Sequence, residues 1–525
     1  MKIKIYKHNI VYIFTAITLF FAVKTNLYSQ TLEIVINPNK NFQKIKGFGA
    51  SDAWRCQFVG LNWPDEKKEK MAELLFSQEL DDEGNPKGIG LSFWRFYIGA
   101  GTAEQGKNSD IKNEWRRAES FVDADGNYDW SRQKGQQWFL EKAKSYGVEN
   151  FLAFSISAPV HWTLNGKGYN SDLKSGRINL RKDKFDDYAS FMVQFLKYFD
   201  DQGISFDYLS PINEPQWEWE KKTQEGTPAT NKNVLEIAKL VSNHIEKNDL
   251  STQIVITEAA DLRFLYSNHG RSSRGNQIDY FFNDNVNIKN LDRTITGHSY
   301  FTTWPVENLI AVRQNLNKKL NKYPNLDYWQ SEFCILEKND DVKGGPKRDL
   351  GIATALYVAR VMHADLTLAN ASSWQWWTAI TNANYKDGLI YLDTGNKDDM
   401  YNLNSLKFDG NFHESKLLWA FGNYSKFIRP GMVRVETSSN NKLSLKEQYQ
   451  NVMHSTYLNP TTSELTTVII NYSDEDEKIN FKNLDINKMY VTSSDKNLEK
   501  VSINKSDDLV IKAKSVNTII GYLKK

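Results

Sequence analysis

Between about residue 45 and residue 430, short apolar runs alternate with longer stretches whose apolar positions recur at helical spacing. Eight runs have the length and the β-branched or aromatic content of buried strands: Lys46–Ala50, Leu91–Ile98, Phe151–Ser155, Tyr208–Ile212, Gln253–Thr257, Thr294–His298, Tyr328–Ser331 and Ser372–Trp377. Between them, stretches such as Asp129–Tyr146, Lys184–Gln202, Asn233–Lys247 and Leu350–Ala369 read as amphipathic helices. Such alternation predicts an α/β fold, and eight units predict a (β/α)8 TIM barrel over 45–429 with its reactive groups at the C-terminal ends of the strands. After Pro430-Gly431 the period falls to two: VRVETSS, LSLKEQYQ, NVMHSTYLN, LTTVIINYS, MYVTSS, LVIKAK and NTIIGYLK, punctuated by Asn, Asp, Ser and Gly. This predicts a side β-sandwich over 430–525, to which a strand within 31–44 (TLEIVINP) is expected to contribute.

The first thirty residues combine Lys2, Lys4 and Lys7 with an apolar run from Ile10 to Val23 and a polar end near Tyr28-Ser29-Gln30. They read as a signal peptide, residues 1–30, with export to a periplasm or the exterior. An uncleaved anchor is the alternative, but the run falls short of the roughly 20 residues of a membrane span and no second run follows. No membrane span is expected after cleavage. Cys56 and Cys334 are too few for a disulfide framework and could either pair or stay as buried thiols.

The formal charge is +2; without the four lysines of the first thirty residues, which hold no acid, it is −2. Nothing here suggests a nucleic-acid partner or an evident site for an acidic polymer. Aromatic residues make up 13% of 525, which suits stacking on sugar rings although most aromatics fill core.

The chemistry is most concentrated at YLSPINEPQWEWE (Tyr208–Glu220) and YWQSEFCIL (Tyr328–Leu336). Glu214 and Glu332 close the fourth and seventh predicted strands, so both reach the barrel mouth. Paired carboxylates suit glycosidic cleavage: one protonates the leaving oxygen while the other attacks the anomeric carbon or activates water. Asp123-Ala-Asp-Gly-Asn-Tyr-Asp129 begins like a calcium loop, but Lys134 stands where the bidentate Glu belongs. The expectation is a turn, with Asp129 capping the next helix. No zinc-spaced His/Cys cluster, phosphate-cradling loop or nucleophile elbow occurs, so no metal and no cofactor are expected.

With these residues in place, the chain resembles glycoside hydrolase family 30, a retaining group of barrel glycosidases. The matching segments are KIKGFGASDAW (Lys44–Trp54), GIGLSFWRFYIGAG (Gly88–Gly101), SAPVHWTLNGKG (Ser157–Gly168), INEPQW, GHSYF (Gly297–Phe301), QSEFC, WQWW (Trp374–Trp377) and YSKFIRPG (Tyr424–Gly431). NEPQWEWE followed by TQEGTP (Thr223–Pro228) is similar to the endo-β-1,6-galactanase-like branch. The resemblance implies that Glu214 is the acid/base and Glu332 the nucleophile. It implies that Arg95 holds a carboxylate, Asn213 binds the 2-hydroxyl at the cleavage point and Tyr300 hydrogen-bonds the nucleophile. His298 shares Tyr300's side of its strand. Trp162 is expected to line the sugar pocket and Trp377 to floor it, although Trp374 and Trp376 compete for that role. Trp217 and Trp219, with Gln216 and Glu225 in the same loop, become selectivity candidates. Glu218, Glu220, Glu258 and Glu337 are left to supporting or surface roles. The expected activity is β-1,6-galactan cleavage by a monomer with a polysaccharide partner. A β-1,6-glucanase, a glucuronoxylanase and a non-catalytic sugar-binding barrel are the alternatives.

Overall fold

A computed structural model describes residues 31–171, 173–503 and 508–524, so the expected signal peptide lies outside the described residues. Eight parallel strands close into a barrel in sequence order: Gly47–Ser51, Phe93–Ile98, Asn150–Ser155, Tyr208–Ser210, Gln253–Ala259, Leu291–His298, Asp327–Phe333 and Ser373–Trp376. Each overlaps its sequence-predicted run. Closure comes from Gly47–Ser51 pairing in parallel with both Phe93–Ile98 and Ser373–Trp376.

The helices follow from apolar spacing and local caps. Phe185–Asp201 buries Phe185, Phe191, Phe195 and Phe199 on one face, and each fully buried phenyl is worth about 1.5–3 kcal/mol of transfer free energy. Asn231–Lys247 begins at a capping box in which the Thr230 hydroxyl accepts from the Asn233 amide at 3.2 Å. Inside the barrel, Phe93, Leu152, Tyr208, Val255 and Trp329 form an apolar plug. Phe93, Arg95 and Tyr97 lie on one face of their strand, so the side chain one step above the plug is a buried cation.

A nine-stranded sheet stands beside the barrel, and strand Leu32–Lys44 is part of it, antiparallel to Val433–Ser439 and parallel to Glu477–Phe481. Its inner face makes a separate core of Ile34, Val435, Ile469, Phe481, Met489 and Ile519, so the sheet curls over itself into the side β-sandwich. The outer face joins the barrel core through Tyr457, Ile470 and Ile520. At the junction Arg429 pairs with Glu149 at 2.6 Å, and the Gly431 amide donates to the Ile45 carbonyl at 2.8 Å. Gly431 has φ +94°, a conformation glycine adopts without strain.

Two local expectations change. LSLKEQYQ is not a strand: Ser444 and Glu447 form a capping box that starts a short helix, Leu445–Gln448. Asp129 does not cap the following helix; it accepts from the Ser131 amide, while the helix begins at Lys134 after Gln133. After the eighth strand a small sheet of Ile380–Thr381, Ile390–Asp393 and Asn411–Glu414 adds to the barrel mouth.

Candidate active site

The barrel brings the ends of strands two, four, five, six and seven to one buried point. Arg95, 1% exposed, is its centre. Its guanidinium donates to Glu332 Oε2 at 2.6 Å, to Asn213 Oδ1 at 3.0 Å and to Glu258 Oε2 at 3.3 Å. It also lies 3.6 Å from the centroid of the Phe154 ring. His298 joins two carboxylates, Nδ1 lying 2.8 Å from Glu214 Oε1 and Nε2 lying 2.8 Å from Glu258 Oε2. The Tyr300 hydroxyl donates to Glu332 Oε1 at 2.9 Å, and Ser331 donates to Glu258 Oε2 at 2.6 Å.

Sequence reasoning had set Glu258 among supporting or surface acids; it is fully buried and paired with both cations. Burial opposes its charge, but Arg95 and the His298 and Ser331 hydrogen bonds outweigh burial and hold its carboxyl down at about 2. Burial would also neutralise His298, yet the charge of Glu332 and the hydrogen bonds to Glu214 and Glu258 carry it up to about 10, favouring the imidazolium. Glu214 moves the opposite way from Glu258. Its burial raises it to about 7, with Glu332's charge adding to the rise and His298 opposing it. With Glu214 protonated, two cations offset the two carboxylates Glu258 and Glu332, so the buried cluster is neutral as a whole.

The backbone shares in this arrangement. Glu214 and Glu258 have φ of 46° and 47°, left-handed values that non-glycine residues adopt at a cost of about 1–3 kcal/mol. The Glu214 amide donates to the Glu258 carbonyl at 2.9 Å, locking the two strand ends together.

Above this floor opens a cleft of about 520 Å³ lined by Asn213, Glu214, Glu332 and Tyr300, with Trp217, Trp219 and Trp377 around them. Trp377 is the strand-eight aromatic that reaches the cleft, because Trp374 and Trp376 are buried in the core. It stands edge-on to Trp54 at 5.2 Å. Trp217 meets Phe301 at 5.8 Å, and the Trp219 indole donates to the Glu214 carbonyl at 3.1 Å. Their loop is anchored on both sides. Glu218 pairs with Arg271 and Arg274, each at 2.6 Å, and buried Glu225 accepts from the hydroxyls of Tyr97 and Thr102. Gln216 is buried as well, bonded to the Arg274 carbonyl and the Ala260 amide. Gln216 and Glu225 thus shape the loop from behind instead of facing the cleft.

Trp162 departs from its expected place. The turn Val160–Trp162 points its ring into the core, 6.1 Å from Phe191, and it does not line the cleft. Arg116, Tyr385 and Asp387 do line it, from loops where no motif marked them, and Gln224 joins them from within TQEGTP. Glu214, His298 and Glu332 offer ligand atoms within 4.8 Å of one another, spacing that a cation could use. Each is already engaged by the hydrogen bonds above. Cys56 and Cys334 are unpaired buried thiols.

A parallel eight-stranded barrel with two glutamates facing one another at its C-terminal mouth defines a barrel glycosidase. Comparison with known proteins carries the assignment further. The model of O-glycosyl hydrolase family 30 matches residues 31–391, and the chain belongs to that family. It is 21% identical to an endo-beta-1,6-galactanase of Hypocrea rufa over 69% of this chain and 70% of that protein. Among solved structures, a conserved exported protein from Bacteroides fragilis is 37% identical with a TM-score of 0.87, covering 93% of this chain and 99% of that one. The family 30 xylanase C catalytic domain of Talaromyces cellulolyticus, 20% identical with a TM-score of 0.65, shares the fold over 94% of this chain and 100% of that one.

Proposed function

We propose that this glycosidase is an exported, retaining endo-enzyme that cleaves β-1,6-linked galactan by double displacement, with Glu332 as nucleophile and Glu214 as acid/base. The observation that carries the reading is the closeness of the pair, whose carboxylate oxygens approach within 4.8 Å. Retaining enzymes hold their carboxyls about 5–5.5 Å apart, whereas inverting enzymes leave roughly 6.5–9.5 Å for a water.

In the first step a Glu332 oxygen bonds to the anomeric carbon as the glycosidic bond breaks, and the leaving oxygen takes the Glu214 proton. In the second, Glu214 removes a proton from water, the water oxygen bonds to the anomeric carbon, and the ester to Glu332 breaks. Glu332 loses its negative charge as Glu214 gains one. Arg95 and His298 therefore face a constant total charge through the first step, which avoids the cost of an unmatched buried ion. Arg95 occupies the Asn213 amide oxygen and so leaves the amide NH2 for the sugar's 2-hydroxyl.

Support for the linkage comes from the galactanase relative and from TQEGTP, which continues the tryptophan-bearing loop. Export is supported by the basic-then-apolar start of the chain and the exported relative; no helix among the described residues is long and apolar enough to cross a membrane. The test is reducing-sugar release from de-arabinosylated arabinogalactan, β-1,6-glucan and glucuronoxylan, wild type against Glu332→Gln. Fastest release from the first, abolished in the variant, is expected; faster cleavage of either other polymer would move the enzyme to another specificity.

A further inference from the structure

A cavity of about 250 Å³ lies at the seam between the barrel and the side sandwich and shares no lining residue with the catalytic cleft. Its walls include the barrel helix Ile352–Leu368 and the sandwich strands Val433–Ser439 and Val452–Leu458. Those strands pair over Val433–Val435 and Thr456–Leu458 and then diverge, and Glu436, Thr437 and His454, just past the split, line the cavity. Arg434, 7% exposed, lines it too, with His363 of the helix at 5%. The Arg434 guanidinium donates to two neutral amides, Gln43 Oε1 at 3.0 Å and Asn370 Oδ1 at 2.6 Å, and lies 3.8 Å from the Phe42 ring centroid. Among the described residues no carboxylate pairs with it. Glu436, the acid at this wall, is matched by Lys40 at 2.5 Å and accepts from Asn37 at 3.1 Å. Burial lowers Arg434 to about 10, which leaves it charged near neutrality, so the cavity carries an unmatched cation.

The two imidazoles are an independent observation. His363 Nδ1 and His454 Nδ1 are shut away from solvent and have no hydrogen-bond partner among the described residues. Burial, then the charges of His454 and Arg434, holds His363 down at about 3, and burial alone holds His454 at about 4, so both are neutral. Native structures keep few buried polar nitrogens unpaired, because their lost hydration goes uncompensated. A neutral imidazole can offer such a nitrogen as an N–H donor. One cation and two free nitrogens thus border a single space from a helix and two strands. A planar carboxylate suits one guanidinium fork, whereas a tetrahedral oxyanion presents acceptor oxygens in several directions and can meet donors from three elements.

We propose that this seam binds one oxyanion of the phosphate or sulfate class, held by Arg434, His363 and His454. The ion contacts the barrel helix and both sandwich strands at once, so binding ties the two domains together and stabilises the folded chain. The site touches no reacting atom and is independent of the galactan reading.

The test is calorimetric titration of the full chain with sodium sulfate, sodium phosphate, galactose 6-sulfate and sodium acetate, at one ionic strength maintained with chloride. Sulfate or phosphate should bind saturably at one ion per chain, about tenfold or more tighter than acetate. Arg434→Met should weaken that binding at least tenfold while leaving turnover of an aryl glycoside unchanged, since the seam lies outside the cleft. Arg434→Lys should keep part of the affinity and His363→Phe should lower it several-fold, and these two carry the test if the Met variant folds poorly. Galactose 6-sulfate separates the sources: affinity equal to or above that of free sulfate identifies a sugar ester as the occupant, and weaker binding identifies the free ion. No saturable heat with either inorganic ion, acetate binding as tightly as they do, or affinity that survives both Arg434→Met and His363→Phe would overturn the site.

Discussion

The floor and the rim of the cleft are built on different terms. On the floor, Arg95, His298, Glu258, Tyr300 and Glu332 all arise from strands or strand ends, are buried, and bond one another at 2.6–3.3 Å. On the rim, Trp217, Trp219 and Arg116 come from loops and are half-exposed, while Phe301 is 38% exposed. Reaction chemistry needs fixed charges in a water-poor place, and strands closed into a barrel provide it. Selectivity needs surfaces that differ between relatives, and loops provide those without disturbing the floor.

If the floor acts as one electrostatic unit, damage there should be severe, and the largest loss is expected at Glu332, the proposed nucleophile. Glu332→Gln should lower kcat on an activated aryl glycoside by about 10⁴-fold or more while leaving the melting temperature near that of wild type. Steady-state kinetics and a thermal melt check both halves. A loss below tenfold would assign attack to another group.

Glu258→Gln sharpens the picture of a shared field. Glu214 must be protonated to donate, so activity should fall as pH rises through about 7. Removing the Glu258 charge leaves Arg95 and His298 less compensated, which favours ionised Glu214 and lowers its pKa. The alkaline limb of the pH profile of kcat/KM should therefore move to lower pH, together with about a 10²-fold loss of rate. An unmoved limb would detach Glu258 from the proton donor.

At the rim, Trp217→Ala should act mainly on KM, raising it by about tenfold on polymer with kcat changed little, since a lost stacking face removes binding common to ground and transition states. An equal fall in kcat would place Trp217 with the floor.

The same division governs what the sequence alone could disclose. Glu214 and Glu332 were readable because each closes an apolar run at a strand end. Arg95, Asn213, His298, Tyr300 and Trp377 followed from the family resemblance carried by short motifs at strands two, four, six and eight, and all lie at the cleft or the cluster beneath it. Glu258 also ends a strand, but nothing in ITEAAD identifies its partners; only the closed barrel brings strand five against Arg95 and His298. Trp162 was misplaced because the short helical turn at Val160–Trp162 rotates the ring onto Phe191. The Ser444/Glu447 capping box was present in LSLKEQYQ and outweighs its alternation. Arg116 had no signal, because only the folded loop after strand two brings it to the cleft wall.

The smallest effect is expected where the structure removes a residue from the cleft. Trp162→Phe should leave kcat and KM within about twofold and lower the melting temperature by a few degrees, as a trimmed core side chain does. A large rise in KM would return Trp162 to the sugar pocket.

The central claim, that Glu332 attacks and Glu214 donates, is tested most directly by azide rescue of the two alanine variants with an aryl glycoside. A small anion can take the place of a missing nucleophile, so Glu332→Ala with azide should yield a glycosyl azide of inverted anomeric configuration by NMR. Glu214→Ala, still carrying its nucleophile, should yield the retained azide. An inverted azide from Glu214→Ala, with none from Glu332→Ala, would reverse the two roles and contradict the account.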